Sequence, residues 1–487
     1  MRRGRRSRGA DAAVLAGAVL LALAVFGGSA GSSPLGLAGA GPMAPGIILE
    51  PQPLILGLHT GPDPLRTAAS IPVAAALGAA LVPIDFEWAR AQPAPDRFAW
   101  EDYDFAVRRA RAHQLRPVGV LYYPQDPPWP GEEGRGPGGP AAHRIAWLAF
   151  VEQAVARFGW AITDWVLARE EPADADPLLW AREAVEHARL VQEAAAAIGR
   201  VQPGAQVRAA ASAADLLWLE VFAREGGLGG LAGLVLEANR WPVPPEGLPV
   251  AIDEVRSLVR EWGHDLELWV WRFGYPTHQG ISRTPPHRRG VSPQEQAEYL
   301  VRSHVWLARA GVGAVLYHEL MDSGWERDAA GSNFGLFQRD GQGKPAARAY
   351  RTLAQKLGGR TYGLPQPAVP GAADDVAVEA LGAVLAAIRA AFEVVQAVPN
   401  VAVHPFAAGP GASLVVVLWA ASPAAEDAAL ALPLEPLALP ERTEVHVTGW
   451  DGTPLDQLPL GRAPVYVEIR AGAAPPAEPG FVEWMIQ

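Results

Sequence analysis

At 487 residues the chain is about three times a typical ~150-residue domain, which leaves room for one large α/β barrel and a smaller companion and excludes a mini-protein. Hydrophobic residues at 49% and charged residues at 19% can fill a sizeable core, so a disordered chain is excluded. The net charge is −11, from 41 basic and 52 acidic residues, and an acidic surface disfavours nucleic acid and anionic membrane as partners.

In chain order, Arg2, Arg3, Arg5, Arg6 and Arg8 precede an apolar run from Ala12 to Gly27 and the small residues Gly28, Ser29 and Ala30. Basic, then apolar, then small residues over 1–30 is the order of an export signal, cleaved or kept as an N-terminal membrane anchor. The Gly/Pro/Ser-rich stretch 31–50 reads as a flexible linker. Over 51–358, short apolar runs alternate with amphipathic stretches, the pattern of βα units around a parallel sheet. Eight strands are predicted: Leu54–Leu58, Leu81–Phe86, Pro117–Tyr122, Ile162–Ala168, Val207–Ala211, Leu234–Ala238, Leu266–Phe273 and Val312–Tyr317. Helices are predicted at Tyr103–His113, Trp147–Phe158, Leu178–Ile198, Leu216–Arg224, Ala251–Glu261 and Pro293–Ala310. Eight such units predict a (β/α)8 TIM barrel, with its site in the loops after the strands. A doubly wound sheet is the alternative, but no Gly-rich phosphate loop follows a strand. Residues 359–400 read as a linker and an amphipathic helix, Val376–Val398, and 401–487 as a β-sandwich accessory domain.

The segments that carry chemistry follow the strands. They include Asp85-Phe86-Glu87-Trp88, Gly119-Val120-Leu121-Tyr122-Tyr123 with Pro127-Pro128-Trp129, and Trp165-Val166-Leu167-Ala168-Arg169-Glu170-Glu171-Pro172. Trp269-Val270-Trp271-Arg272-Phe273-Gly274-Tyr275-Pro276 and Tyr317-His318-Glu319-Leu320-Met321-Asp322 complete the set. In this order they resemble the strand-end segments of clan A glycoside hydrolases, closest to family 39, and the resemblance runs from about Leu54 to Ile469. It implies a carbohydrate ligand and two glutamates, one after the fourth strand as acid/base and one after the seventh as nucleophile. Retaining hydrolysis needs both, about 5–5.5 Å apart.

Glu171 matches the acid/base position, and the nucleophile position holds Arg272. A guanidinium stays protonated and has no attacking oxygen, so double displacement cannot run through it. Glu170 stands where the family has asparagine, replacing an amide donor by an acceptor-only carboxylate. Arg272 favours the ionised form of a nearby carboxylate, so Glu171, Glu170 or Glu237 is a candidate ion-pair partner. The leading expectation is an exported protein that binds extracellular polysaccharide, with retaining hydrolysis lost, or a non-catalytic scaffold in polysaccharide export. One alternative is an inverting hydrolase with Glu171 as acid and Glu237 or Glu319 as base, which needs about 6.5–9.5 Å between them. Another is chemistry on an anionic sugar whose carboxylate Arg272 clamps.

Seventeen tryptophans leave two uses open, core packing and sugar stacking. Trp88, Tyr122, Tyr123, Trp129, Trp241, Trp271, Tyr275 and Tyr317 fall at or just after predicted strand ends, and with His59 and His318 they are candidates for substrate binding. The absence of cysteine excludes a disulfide framework, a thiolate metal site and a thiol nucleophile. No His/Asp/Glu set shows metal-ligand spacing along the chain, so no metal and no cofactor are expected.

Overall fold

A run such as Leu81–Phe86, with no row of polar side chains to offer water, is stable only with both faces covered, and all six of its residues are buried. The computed structural model describes residues 52–123, 139–169, 177–363, 401–407, 413–420, 430–432, 443–456 and 458–471. The expected export segment, the linker after it and the Val376–Val398 helix lie outside these residues. Among the described residues, no helix is long and apolar enough to cross a membrane.

Eight parallel strands close a barrel in sequence order: β1 (Ile55–Leu58), β2 (Leu81–Phe86), β3 (Arg116–Tyr123), β4 (Asp164–Arg169), β5 (Gln206–Ser212), β6 (Gly233–Glu237), β7 (Glu267–Phe273) and β8 (Ala314–Tyr317). Pairing of Ile55 with Ala314 through Leu58 with Tyr317 closes the ring. The intervening helices are α1 (Pro64–Ala76), the single turn α2 (Trp88–Ala91), α3 (Glu101–Ala112), α4 (Gly139–Phe158), α5 (Pro177–Val201), α6 (Leu216–Arg224), α7 (Leu248–Glu261) and α8 (Pro293–Arg309); α9 (Pro345–Leu357) follows β8. Local chemistry sets their starts. Asp63 accepts from Arg66 N at α1, Asp215 accepts from Trp218 N at α6, and Ser292 and Glu295 form a reciprocal capping box at α8.

The barrel interior is its own apolar cluster, built from alternate residues of the strands: Leu81, Val118, Val120, Val166, Val235, Trp269, Trp271 and Leu316 among them. A larger cluster joins the outer strand faces to the helices. Burying each such side chain stabilises by roughly 1.5–3 kcal/mol, so the layered filling accounts for much of the barrel's stability. Gly57 stands in an inner row because a β-carbon there would meet Leu316 and Leu81.

After α9 the chain enters a six-stranded antiparallel sheet ordered β14-β13-β16-β11-β10-β9, accompanied by a two-stranded ribbon, β12-β15. These strands are β9 (Thr361–Tyr362), β10 (Val401–Ala407), β11 (Leu414–Ala420), β12 (Leu430–Leu432), β13 (Thr443–Gly449), β14 (Pro454–Leu455), β15 (Leu458–Leu460) and β16 (Val465–Ala471). The sheet joins the barrel through an aromatic seam. The His404 ring stacks on Trp419 at 4.7 Å and meets the edge of Trp306, on α8, at 4.6 Å. Ion pairs flank the seam, Lys356 with Glu468 at 2.9 Å and Arg462 with Glu295 at 3.1 Å. Burial opposes ionisation of Glu468, but hydrogen bonds from Lys356 and Arg470 outweigh it and bring its carboxyl down to about 2.

Candidate functional site at the barrel mouth

The period-2 rows that fill the barrel end in polar residues at its C-terminal end. Ile55 and Gly57 lead to His59, Leu81 and Pro83 to Asp85, Val118 and Val120 to Tyr122, Val235 to Glu237, and Ala314 and Leu316 to His318. Strand β7 departs from this rule. Trp269 and Trp271 are inner residues, so strict alternation would turn Arg272 outward. Instead the β7–β8 register shifts between Val270 and Phe273, one extra residue is accommodated, and Arg272 takes a left-handed φ of 45°. Such a bulge re-aims a side chain. Arg272 consequently reaches Tyr122 on the inner face, while Phe273 joins the outer core.

Asn239 pins this turn: its Nδ2 donates to the Arg272 carbonyl at 2.8 Å and its Oδ1 accepts from Gly274 N at 3.3 Å. Gly274 is required there, since a β-carbon would collide with the His318 carbonyl oxygen.

The Arg272 guanidinium donates to the Tyr122 hydroxyl at 2.6 Å and lies 3.6 Å from Glu237 Oε1. It also sits over the Tyr122 and Trp271 rings, 5.2 Å from each centroid. The Arg272 side chain is 38% exposed and that of Glu237 25%, so solvent screens the ion pair and it contributes at most about 1 kcal/mol. Burial, reinforced by the negative charge of Asp85, pushes the Tyr122 phenol well above its usual value despite Arg272. Tyr122 is thus a neutral hydroxyl near neutral pH. The cluster offers a fixed positive charge, a hydroxyl and a carboxylate, a set that binds and orients polar ligands.

A second group lies where β8 meets β1. His59 follows β1, and its Nε2 is 3.4 Å from Asp85 Oδ2. His318 and Glu319 follow β8, joined by a cis peptide, and the His318 ring packs 5.1 Å from that of His59. Burial first, and then the neighbouring His59 and the Arg272 charge, drive the His318 imidazole well below its usual value. Burial raises the Glu319 carboxyl, against the influence of His59 and Arg66. One donor atom from each of His59, His318 and Glu319 lies within 4.8 Å of the others, so these residues could hold a metal ion. Spacing along the chain gave no such set, because His59 and His318 lie at opposite ends of the barrel sequence.

The aromatic candidates divide. Trp88, Trp241, Trp271, Tyr275 and Tyr317 are buried and offer no open face for a sugar. Trp88 donates to Gln92 Oε1 at 2.8 Å and stacks on His143, Tyr275 donates to the Val243 carbonyl at 3.2 Å, and Tyr317 packs against Phe273. The expectation of stacking platforms is corrected for these five: strand-end position brought them to the top of the barrel, and their apolar area drew them into its core. Tyr123 is half-buried, with its hydroxyl 3.3 Å from His143 Nδ1. Glu170, Glu171 and Trp129 lie outside the described residues.

Sequence reasoning did not single out Trp325, which is 71% exposed. It stands in the loop after β8, on the mouth side, and that loop is tied to the β7–α8 loop through Gln279 N to Arg327 O and Arg283 N to Asp328 O. The other well-exposed tryptophans among the described residues, Trp160 and Trp262, precede β4 and β7 at the opposite end. Its place after a strand was the available signal. Asn239, whose role depends on a bulge in the neighbouring strand, left none.

No protein-family model matches the chain, and no curated protein does. Solved structures do. A family 39 glycoside hydrolase from Bacteroides cellulosilyticus WH2 superposes with a TM-score of 0.62 at 16% identity, covering 86% of this chain and 81% of that one. The two chains share an eight-stranded parallel barrel fold. A glucosidase from Croceicoccus marinus agrees, with a TM-score of 0.54 at 14% identity over 87% of this chain and 96% of its own. At these identities the shared property is the fold, and residue roles have to be argued from the mouth itself.

Proposed function

We propose that this is an exported, glycoside-hydrolase-like protein that binds extracellular polysaccharide at the barrel mouth and does not carry out retaining hydrolysis. The observation that carries the reading is Arg272. It stands at the end of β7, turned inward by the bulge and bonded to Tyr122 beside Glu237, and the sequence resemblance to family 39 expects the nucleophilic carboxylate at this position. Arg272, Tyr122 and Glu237 supply polar contacts, and Trp325 supplies an exposed ring on the rim. Export rests on the order of basic, apolar and small residues over 1–30. The six-stranded sheet and the ribbon are read as the two layers of an accessory β-sandwich, since β15 lies against β11 and β16.

The test is a glycan-array binding assay beside an aryl-glycoside hydrolysis screen on wild type, Glu171→Gln and Arg272→Glu. Wild type is expected to bind at least one glycan with negligible turnover. Turnover that Glu171→Gln abolishes would replace this reading by inverting hydrolysis with Glu171 as acid and Glu237 or Glu319 as base. Failure to bind any glycan would favour a scaffold.

A further inference from the structure

We propose that His59, His318 and Glu319 bind one divalent first-row transition-metal ion at the floor of the barrel mouth. The inference goes beyond the glycan reading and does not depend on it. Barrel closure creates the site. The β1–β8 pairing puts the residue after Leu58 beside the residues after Tyr317, and backbone bonds from His59 N to Tyr317 O and from Leu320 N to His59 O fix the two chain ends together. Donor atoms of three side chains consequently lie within 4.8 Å of one another. Metal ligation at ~2.0–2.2 Å asks the donors to close further around the ion.

Independent support comes from the hydrogen-bond accounting. His59 Nδ1, His318 Nδ1 and Glu319 Oε1 are each buried without a hydrogen-bond partner. Buried polar atoms are usually bonded, so three of them within one cluster of donors leave room for a bonding partner such as an ion. The outer contact fits as well. Asp85 faces His59 Nε2 at 3.4 Å, which leaves Nδ1 for the ion, and metal-bound histidines commonly present their second nitrogen to a carboxylate in this way. Two imidazoles and one carboxylate suit zinc, iron(II) or manganese(II) and are poor ligands for calcium or magnesium, which want oxygen. Three protein ligands leave a position open to water or to a hydroxyl of a bound molecule.

The experiment uses untagged full-length protein stripped with a chelator. Zn²⁺ is titrated by calorimetry, and Co²⁺ is followed by visible absorption and by pulsed electron paramagnetic resonance. One equivalent of Zn²⁺ is expected to bind at micromolar or lower Kd. His318→Gln and Glu319→Gln should each weaken binding at least ~10-fold, Asp85→Asn should weaken it ~10- to 100-fold, and the surface change His113→Ala should have no effect. Circular dichroism checks that each variant is folded. The resonance spectrum reads the wild type and so is independent of variant folding; two coordinated imidazole nitrogens are expected. No saturable binding, binding unchanged in folded His318→Gln and Glu319→Gln, or a spectrum with fewer than two imidazole nitrogens would each overturn the site.

Discussion

Arg208 and Arg272 lie near opposite ends of the barrel interior, and they are held in opposite ways. Arg208, on β5 near the N-terminal end, is buried, bonded to Asp164 at 2.6 Å and to Glu267 at 2.5 Å, and stacked over Trp269 at 3.7 Å. Arg272, at the C-terminal end, is partly exposed, has its carboxylate at 3.6 Å and stands on a bulge with left-handed φ. The first is a closed network of short bonds. The second keeps its charge in reach of solvent on a strained backbone. The same guanidinium closes a buried network at one end and stays in reach of solvent at the other, the C-terminal face on which barrels of this kind carry their chemistry. The seam to the C-terminal sheet belongs with the closed end, its His404 buried between two tryptophans.

Arg208→Ala should break the comparison or establish it most directly. It leaves Asp164, with a side chain 5% exposed, as a buried charge that retains a 3.6 Å contact to Arg116 and a hydrogen bond from Thr163 Oγ1 at 3.2 Å, and should cost about 3–5 kcal/mol in urea unfolding. A loss under about 1 kcal/mol would mean the network contributes little.

Acid should act on the seam next. Burial, with the positive charge of Arg309, depresses His404 to about 3, below its ordinary 6.5. The folded state thus resists protonation. Its stability contribution is present above pH 6.5 and lost as pH falls towards 3, at about 1.4 kcal/mol per pH unit. Between pH 6.5 and 4.5, above the range in which Glu468 titrates, His404→Phe should flatten the fall in unfolding free energy by one proton. An unchanged slope would show that the seam does not sense acid.

Arg272→Ala is expected to cost about 1–2 kcal/mol, less than Arg208→Ala, because its ion pair is screened and the bond to Tyr122 is the main loss. Arg272→Gly should equal or exceed wild-type stability, since glycine accepts φ of 45° without the roughly 1–2 kcal/mol cost of a side chain. A loss as large as that of Arg208→Ala would erase the distinction between the two ends. Smallest in stability, within about 0.5 kcal/mol, is Trp325→Ala, which should nonetheless weaken glycan binding on the array. Undiminished binding would remove the rim ring from the proposed function.

The sequence by itself determined the barrel. Strands covered on both faces must be apolar throughout, and helices packed on them must carry an apolar stripe, so both periods are written locally: Leu81–Phe86 and Leu216–Arg224 were legible to the residue. Helices α1 and α9 were not singled out: alanine-rich α1 carries a weak periodic signal, whereas the buried residues of α9 do follow a helical period and were readable. Tertiary structure alone decided three features of the mouth. Arg272 faces inward because of a β7–β8 register shift, which no period-2 pattern encodes. Trp88, Trp241 and Trp271 are core because their large apolar areas found partners there. His59 meets His318 and Glu319 because the first strand pairs with the eighth, and that contact exists only once the ring is closed.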